Sequence, residues 1–239
     1  MMAGRPQGIQ VDVVAFFAHP DDVDFLCGGT IAKLAAEGKR IWYVLATSGD
    51  KGTSDRAIPP HELAVRREIE QRNAAMALGA LGVSYLGYPD GFLEDTAEFR
   101  GKLVRQLRLL RPDVVITFDP YRRSHNHRDH RTIGQATLDA AFPLARDHLA
   151  YPEHLTEEGL EPHRVAEVWL AGPDDPDYYV DIGDHFHQRL RAIACHKSQV
   201  GDAGMSDEFE ERMRQRSREV GEAAGYEFAE AFRRIQFRR

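Results

Sequence analysis

Two short stretches hold the residue types and spacings that could do chemistry. The first is His19-Pro20-Asp21-Asp22. A histidine and a carboxylate three residues apart on a tight turn can reach one ion, which leaves Asp21 between them for another task. The second ends at His130, where three of the chain's 11 histidines, His125, His127 and His130, crowd together. Taking His130 with His19 and Asp22 gives a metal site of two nitrogens and one oxygen. Three protein ligands leave a position open for water, as in catalytic rather than structural zinc. Imidazole and carboxylate donors without thiolate suit zinc, and they also accept iron(II), cobalt or manganese. An ion so held lowers the pKa of its water to roughly 7. Asp21, beside that water rather than on the metal, is the candidate general base. His127 sits at the rim, where its protonated form could stabilise an oxyanion and then protonate a departing amine. Asp129 is its expected orienting partner.

Each stretch alone has an ordinary explanation. His-Pro-Asp-Asp is a turn with solvated acids. His-x-Asp-His at a helix start is a capping aspartate with exposed histidines. What separates the pair from coincidence is the pattern around them. Val11–Phe17 reads as a buried strand that ends at the first motif. Gly28-Gly29-Thr30 opens a helix over Ile31–Glu37, stopped by Gly38, and Ile41–Ala46 is a second strand. Pro60–Leu78 is an amphipathic helix, Val83–Leu86 a short strand and Phe99–Leu110 a helix before Pro112. Asp113–Phe118 is a strand that leads into the histidine cluster, and Arg131–Ala141 is helical beyond it. A loop-rich stretch, the strand Val165–Leu170 and helices over Asp184–Cys195 and Ser206–Ala224 follow. The aromatic tail Tyr226–Arg239 is expected to dock on the body or on a neighbour through Phe228, Phe232 and Phe237. Strand alternating with helix implies an α/β sandwich, doubly wound, in which ligands sit beyond the carboxyl ends of the strands. Both motifs fall at such ends.

Composition narrows the function further. The 239 residues carry a formal charge of −7, which argues against a nucleic-acid binder. No stretch has the roughly 20 apolar residues of a membrane span. Met1–Gln10 is polar with no apolar signal core, so the expected location is cytoplasmic. Cys27 and Cys195 are the only cysteines, in no paired spacing, which excludes a cysteine-rich metal site. One domain over 1–239 is expected, with a helical cap portion from about 184 to 239.

These residues resemble the LmbE-like (PIG-L type) zinc-dependent de-N-acetylases. The likeness is carried by Ala18-His19-Pro20-Asp21-Asp22-Val23-Asp24 with Gly28-Gly29-Thr30, and by His127-Arg128-Asp129-His130. Thr47-Ser48-Gly49-Asp50-Lys51-Gly52, Arg66-Arg67-Glu68 and Leu86-Gly87-Tyr88-Pro89-Asp90-Gly91 extend it. Asp181-Ile182-Gly183-Asp184-His185-Phe186 and His196-Lys197-Ser198-Gln199 carry it toward the C-terminus. The resemblance implies a Rossmann-like three-layer sandwich with a mainly parallel sheet. It implies one zinc on His19, Asp22 and His130, Asp21 as base, and His127 with Asp129 as the oxyanion-stabilising pair. The implied reaction removes an acetyl group from an N-acetylglucosamine conjugate by attack of zinc-bound water. The C-terminal third looks most like the bacillithiol-type branch, whose members are often homohexamers, so a homo-oligomer is expected. The resemblance also suggests Arg66, Asp90 and His125 as substrate-binding residues. Against them stand a surface arginine, a plain turn aspartate and a loop histidine.

The sequence departs from the family pattern in places. The acid that commonly follows His-Pro-Asp-Asp is Val23 here, with Asp24 one place later, and Arg128 replaces the proline of the second motif. His125 stands where some members carry a tyrosine. His196 is near the crevice or simply ends a helix. Rival readings are an amidase of the same family acting on a thiol conjugate, an antibiotic or a chitin fragment, and a silent binding module. A dinucleotide oxidoreductase lacks its Gly-x-Gly-x-x-Gly turn, and a serine hydrolase lacks Gly-x-Ser-x-Gly.

Overall fold

The computed structural model describes residues 10–123, 127–201 and 204–237. The apolar runs form the strands of one sheet: β1 (Val13–Phe17), β2 (Ile41–Thr47), β3 (Gly82–Tyr88), β4 (Val114–Phe118), β5 (Glu167–Ala171), β6 (Tyr178–Asp181) and β7 (Ala229–Gln236). Their order is β3-β2-β1-β4-β5-β7-β6. The first five run parallel, and β7 is antiparallel to both β5 and β6. Every residue of β1 is buried, as a strand covered on both faces requires. Between the strands lie α1 (Asp22–Ala36), α2 (Pro60–Ala77), α3 (Ala97–Leu110), α4 (Arg128–Asp139), α5 (Pro152–Thr156), α6 (Phe186–Ile193), α7 (Lys197–Val200) and α8 (Asp207–Glu222). α1 and α2 pack with α6, whereas α3 packs with α4, so helices cover both faces in a three-layer sandwich. Among the described residues no helix is long and apolar enough to cross a membrane.

The chain winds from β1 outward to β3, then returns to place β4 on the other side of β1. That reversal opens a crevice beyond the carboxyl ends of β1 and β4. The turn into α1 leaves β1 there, and the loop into α4 leaves β4 beside it.

The structure departs from the sequence expectations at both ends of the chain. α1 begins at Asp22, well before Ile31, with a kink at Cys27 (φ −143°, ψ 19°). A kink frees helical N–H groups, and the buried Glu230 accepts those of Gly29 and Thr30 at 2.9 and 2.7 Å. Gly28-Gly29-Thr30 therefore does open a helical segment, capped by a carboxylate 200 residues away. Gly29 also has no room for a side chain, because a Cβ there would lie 2.8 Å from Ile182. The expected aromatic tail is instead β7, a strand inside the sheet. The stretch from about 184 is thus not a cap alone, since its last element separates β5 from β6.

Candidate metal centre

The turn after β1 points its polar atoms into the crevice. His19 Nδ1 lies 3.3 Å from Asp22 Oδ2 and 3.2 Å from His130 Nε2, and His130 Nε2 lies 3.2 Å from Asp22 Oδ1. Donors about 2.0–2.2 Å from a tetrahedral zinc stand roughly 3.3–3.5 Å from one another. Two nitrogens and a carboxylate at this spacing fit a divalent ion. The main chain fixes Asp22, whose Oδ2 accepts the N–H of His19 at 2.7 Å. His130 is fixed by stacking on Phe118 at 3.8 Å between ring centres.

His19 has a second side. Its Nε2 lies 3.1 Å from Asp90 Oδ1 and 3.2 Å from Asp129 Oδ2. An imidazole that donates one N–H to a carboxylate presents its other nitrogen to a metal, so with Asp90 and Asp129 at Nε2 the atom that would face an ion is Nδ1. Two further groupings lie close enough to hold an ion, His19 with His127 and His130, and His19 with Asp90 and Asp129. The carboxylates in the latter group have other duties. Asp129 accepts the N–H groups of Gly91 and Leu93 at 2.7 and 3.2 Å, and Asp90 accepts that of Lys51 at 3.1 Å.

The expected pairing of Asp129 with His127 is therefore corrected: Asp129 is buried and turned to His19 and the 91–93 turn. His127 reaches the centre through its ring, 4.8 Å from that of His19 and stacked on His130 at 4.4 Å. Asp90, suggested as a sugar binder, is 7% exposed and braces His19. Arg66 extends from α2 to Glu70 at 3.1 Å, on a groove that also borders Arg191 and Lys197 and includes none of the centre's residues. His125 lies outside the described residues.

Asp21 occupies a backbone conformation of φ 95°, ψ −31°. A non-glycine residue there costs of order 1–3 kcal/mol and persists only when its surroundings enforce it. Two side chains of α2 do so. Gln71 Oε1 accepts the Asp21 N–H at 2.7 Å, while Arg67 Nη2 donates to Asp21 Oδ2 at 3.1 Å and to Pro20 O at 2.6 Å. Arg67 Nη1 also donates to Gly49 O at 2.9 Å. A Cβ at Gly49 would fall 2.4 Å from that nitrogen, which explains the glycine after β2. Neither Arg67 nor Gln71 was singled out from the sequence. The available signal was periodicity: Leu63, Arg67, Gln71 and Ala74 share the buried stripe of α2, whereas Arg66 does not.

Carboxylates dominate the electrostatics of the crevice. Burial opposes charging His19, yet Asp22, Asp129 and Asp90 outweigh it and push the imidazole up to about 12. Despite burial, His130 and His19 hold Asp22 well below the usual carboxylate range. Asp90 is likewise brought down to about 2, against burial, by its hydrogen bond to His19. Asp21 goes the other way. Burial and the neighbouring Asp22 charge raise it to about 7, against the pull of Arg67, His196 and His19. Burial, His130 and His19 depress His127.

A family model described as GlcNAc-PI de-N-acetylase (PIG-L) matches residues 14–141. A diacetylchitobiose deacetylase of Thermococcus kodakarensis is 33% identical over 92% of this chain and 82% of its own. A probable N-acetyl-α-D-glucosaminyl L-malate deacetylase of Bacillus cereus is 29% identical over 79% and 83%. The solved structure of the N,N'-diacetylchitobiose deacetylase of Pyrococcus horikoshii superposes with a TM-score of 0.89 at 32% identity, covering 94% of this chain and 84% of that one.

Proposed function

The chain belongs to the GlcNAc-PI de-N-acetylase (PIG-L) family, and on that premise we propose that it is a zinc-dependent hydrolase removing the acetyl group from an N-acetylglucosamine conjugate. The observation that carries this reading is the convergence of His19, Asp22 and His130 within 3.3 Å of one another, with Asp21 held beside them. Relatives named for deacetylating chitobiose and a glucosaminyl malate favour an acetylated amino sugar over other amides.

His19, Asp22 and His130 would hold the ion, which supplies, when bound, a Lewis acid and a water acidified to near neutrality. Asp21 accepts a proton from the attacking water. A carboxylate beside the proposed ligands, and not needed as one of them, can take that proton and later return it. Arg67 keeps Asp21 directed at the crevice. His127 stacks on His130 at the edge of this group, where burial and the His130 and His19 rings lower its pKa. In its protonated form His127 meets the oxyanion and gives that proton to the leaving amine, while Asp21 keeps the one taken from the water. Asp129 and Asp90 orient His19.

Acetate release from diacetylchitobiose, N-acetylglucosaminyl malate and N-acetylglucosaminyl inositol by the zinc-loaded protein tests the proposal. Hydrolysis of at least one is expected. Asp21→Asn should retain zinc and lose about 100-fold or more of turnover. No acetate from any of the three would end the reading.

A further inference from the structure

We infer that Gln71 is the positioning residue for Asp21, and that the buried pair Asp24–His196 sets Gln71 for that role. The inference rests on Asp21 being the proton acceptor. Residue 21 is held at both ends by one helix: Arg67 takes its carboxylate, and Gln71, one turn later, takes its N–H. The carboxylate contact alone does not define the backbone, because an aspartate can reach an arginine from several conformations. The Gln71 bond at 2.7 Å fixes the peptide that carries the positive φ.

A glutamine amide has an accepting end and a donating end, and it can sit either way round. What decides the matter here is Asp24. Gln71 Nε2 lies 2.7 Å from Asp24 Oδ2, and a carboxylate only accepts, so the amide nitrogen must face it and Oε1 must face Asp21. His196 Nε2 lies 2.8 Å from the same oxygen and fixes Asp24 in turn. All three side chains are 0% exposed. The chain His196 to Asp24 to Gln71 to the Asp21 N–H therefore runs entirely inside the protein, from the start of α7 to the metal turn.

Packing alone does not account for it. Asp24 Oδ1 and His196 Nδ1 are buried without a partner among the described residues, and unsatisfied buried polar atoms are costly. Apolar side chains of equal volume would fill this space at lower cost. They could not choose the orientation of an amide.

The test uses the zinc-loaded full chain. Gln71→Met removes both hydrogen bonds at nearly constant volume. We expect kcat to fall roughly 10- to 100-fold, with KM and zinc per chain unchanged and faster hydrogen exchange at the Asp21 amide. His196→Gln, which keeps a donor for Asp24, should retain more turnover than His196→Leu, and this pair decides the matter if Gln71→Met does not fold. Unchanged kcat in folded Gln71→Met, loss of zinc, or equal turnover in the two His196 variants would overturn the inference. A wild-type protein inert to every N-acetylglucosaminide would instead sink the hydrolase reading. The Asp21 exchange rate, which needs no turnover, would still judge the positioning.

Discussion

Asp129 is the residue that most sharply separates two ways of holding an ion. If His19 ligates through Nδ1 with Asp22 and His130, then Asp129 braces the imidazole from its far side at 3.2 Å. Loss of such a brace weakens metal binding by roughly 10- to 100-fold. Loss of a ligand should exceed that. His130→Ala is therefore expected to lose zinc to a chelator far more readily than Asp129→Asn, in a competition titration of both. If Asp129→Asn proves the more severe, the ion sits on the Nε2 side with Asp90 and Asp129. At this scale the sequence was informative about types and poor about partners. His19, Asp22 and His130 converge as their spacing suggests, because two strand ends bring their loops together. The partner of Asp129 was not legible, since Gly91 and Leu93 contact it from a turn 36 or more residues away. Arg67 was hidden by its neighbour: two consecutive arginines look alike until the helix phase assigns one to the buried face.

Elements show why local patterns sometimes mislead. A helix carrying Gly28-Gly29 reads as beginning after the glycines, since glycine in a helix interior costs about 1 kcal/mol. α1 runs through them because Ile182 packs against Gly29 and Glu230 accepts the N–H groups that the Cys27 kink releases. Glu230 also pairs with Arg189 at 3.2 Å, and both are buried. Its removal would orphan two main-chain donors and strip a buried guanidinium of its counter-charge, leaving Arg189 its bonds to Asp24 O, Ser217 Oγ and Phe25 O. Breaking a buried ion pair from one side typically costs about 3–5 kcal/mol. Glu230→Ala should therefore lower unfolding stability by that order in denaturant titration, while Glu222→Ala on the exposed end of α8 changes it little. A loss below about 1 kcal/mol would mean that water or backbone relaxation replaces the carboxylate. The same tertiary debt explains why β7 was not read as a strand: its buried glutamate and consecutive Arg233-Arg234 break the apolar alternation that marks one.

Across the whole molecule, the parallel half of the sheet was legible and the antiparallel half was not. β1, β2 and β4 are apolar runs covered on both faces, whereas β6 has four residues and β7 intersperses Glu230, Arg233, Arg234 and Gln236 among its apolar side chains. Arg234 of β7 reaches across to Glu167 of β5, donating from Nε at 2.7 Å and from Nη2 at 2.5 Å, and Gln236 donates to the same carboxylate at 3.0 Å. This joins the last strand to the parallel body and has a pH signature. The Arg234 hydrogen bond, opposed by burial, lowers Glu167 from 4.5 to about 2. A carboxyl depressed by folding contributes stability above its unfolded pKa, and the contribution is lost as pH falls toward the folded value. The window is therefore about pH 4.5 down to 2. The pair is partly exposed, Arg234 by 34% and Glu167 by 17%, so solvent screening limits its worth to about 1 kcal/mol. Wild type should melt above Glu167→Gln at pH 7 by a small margin that shrinks through this window, and salt should narrow it at neutral pH. A margin that stays constant to pH 2 would assign the difference to side-chain packing, and the charge of the β5–β7 seam would then have no part in closing the sheet.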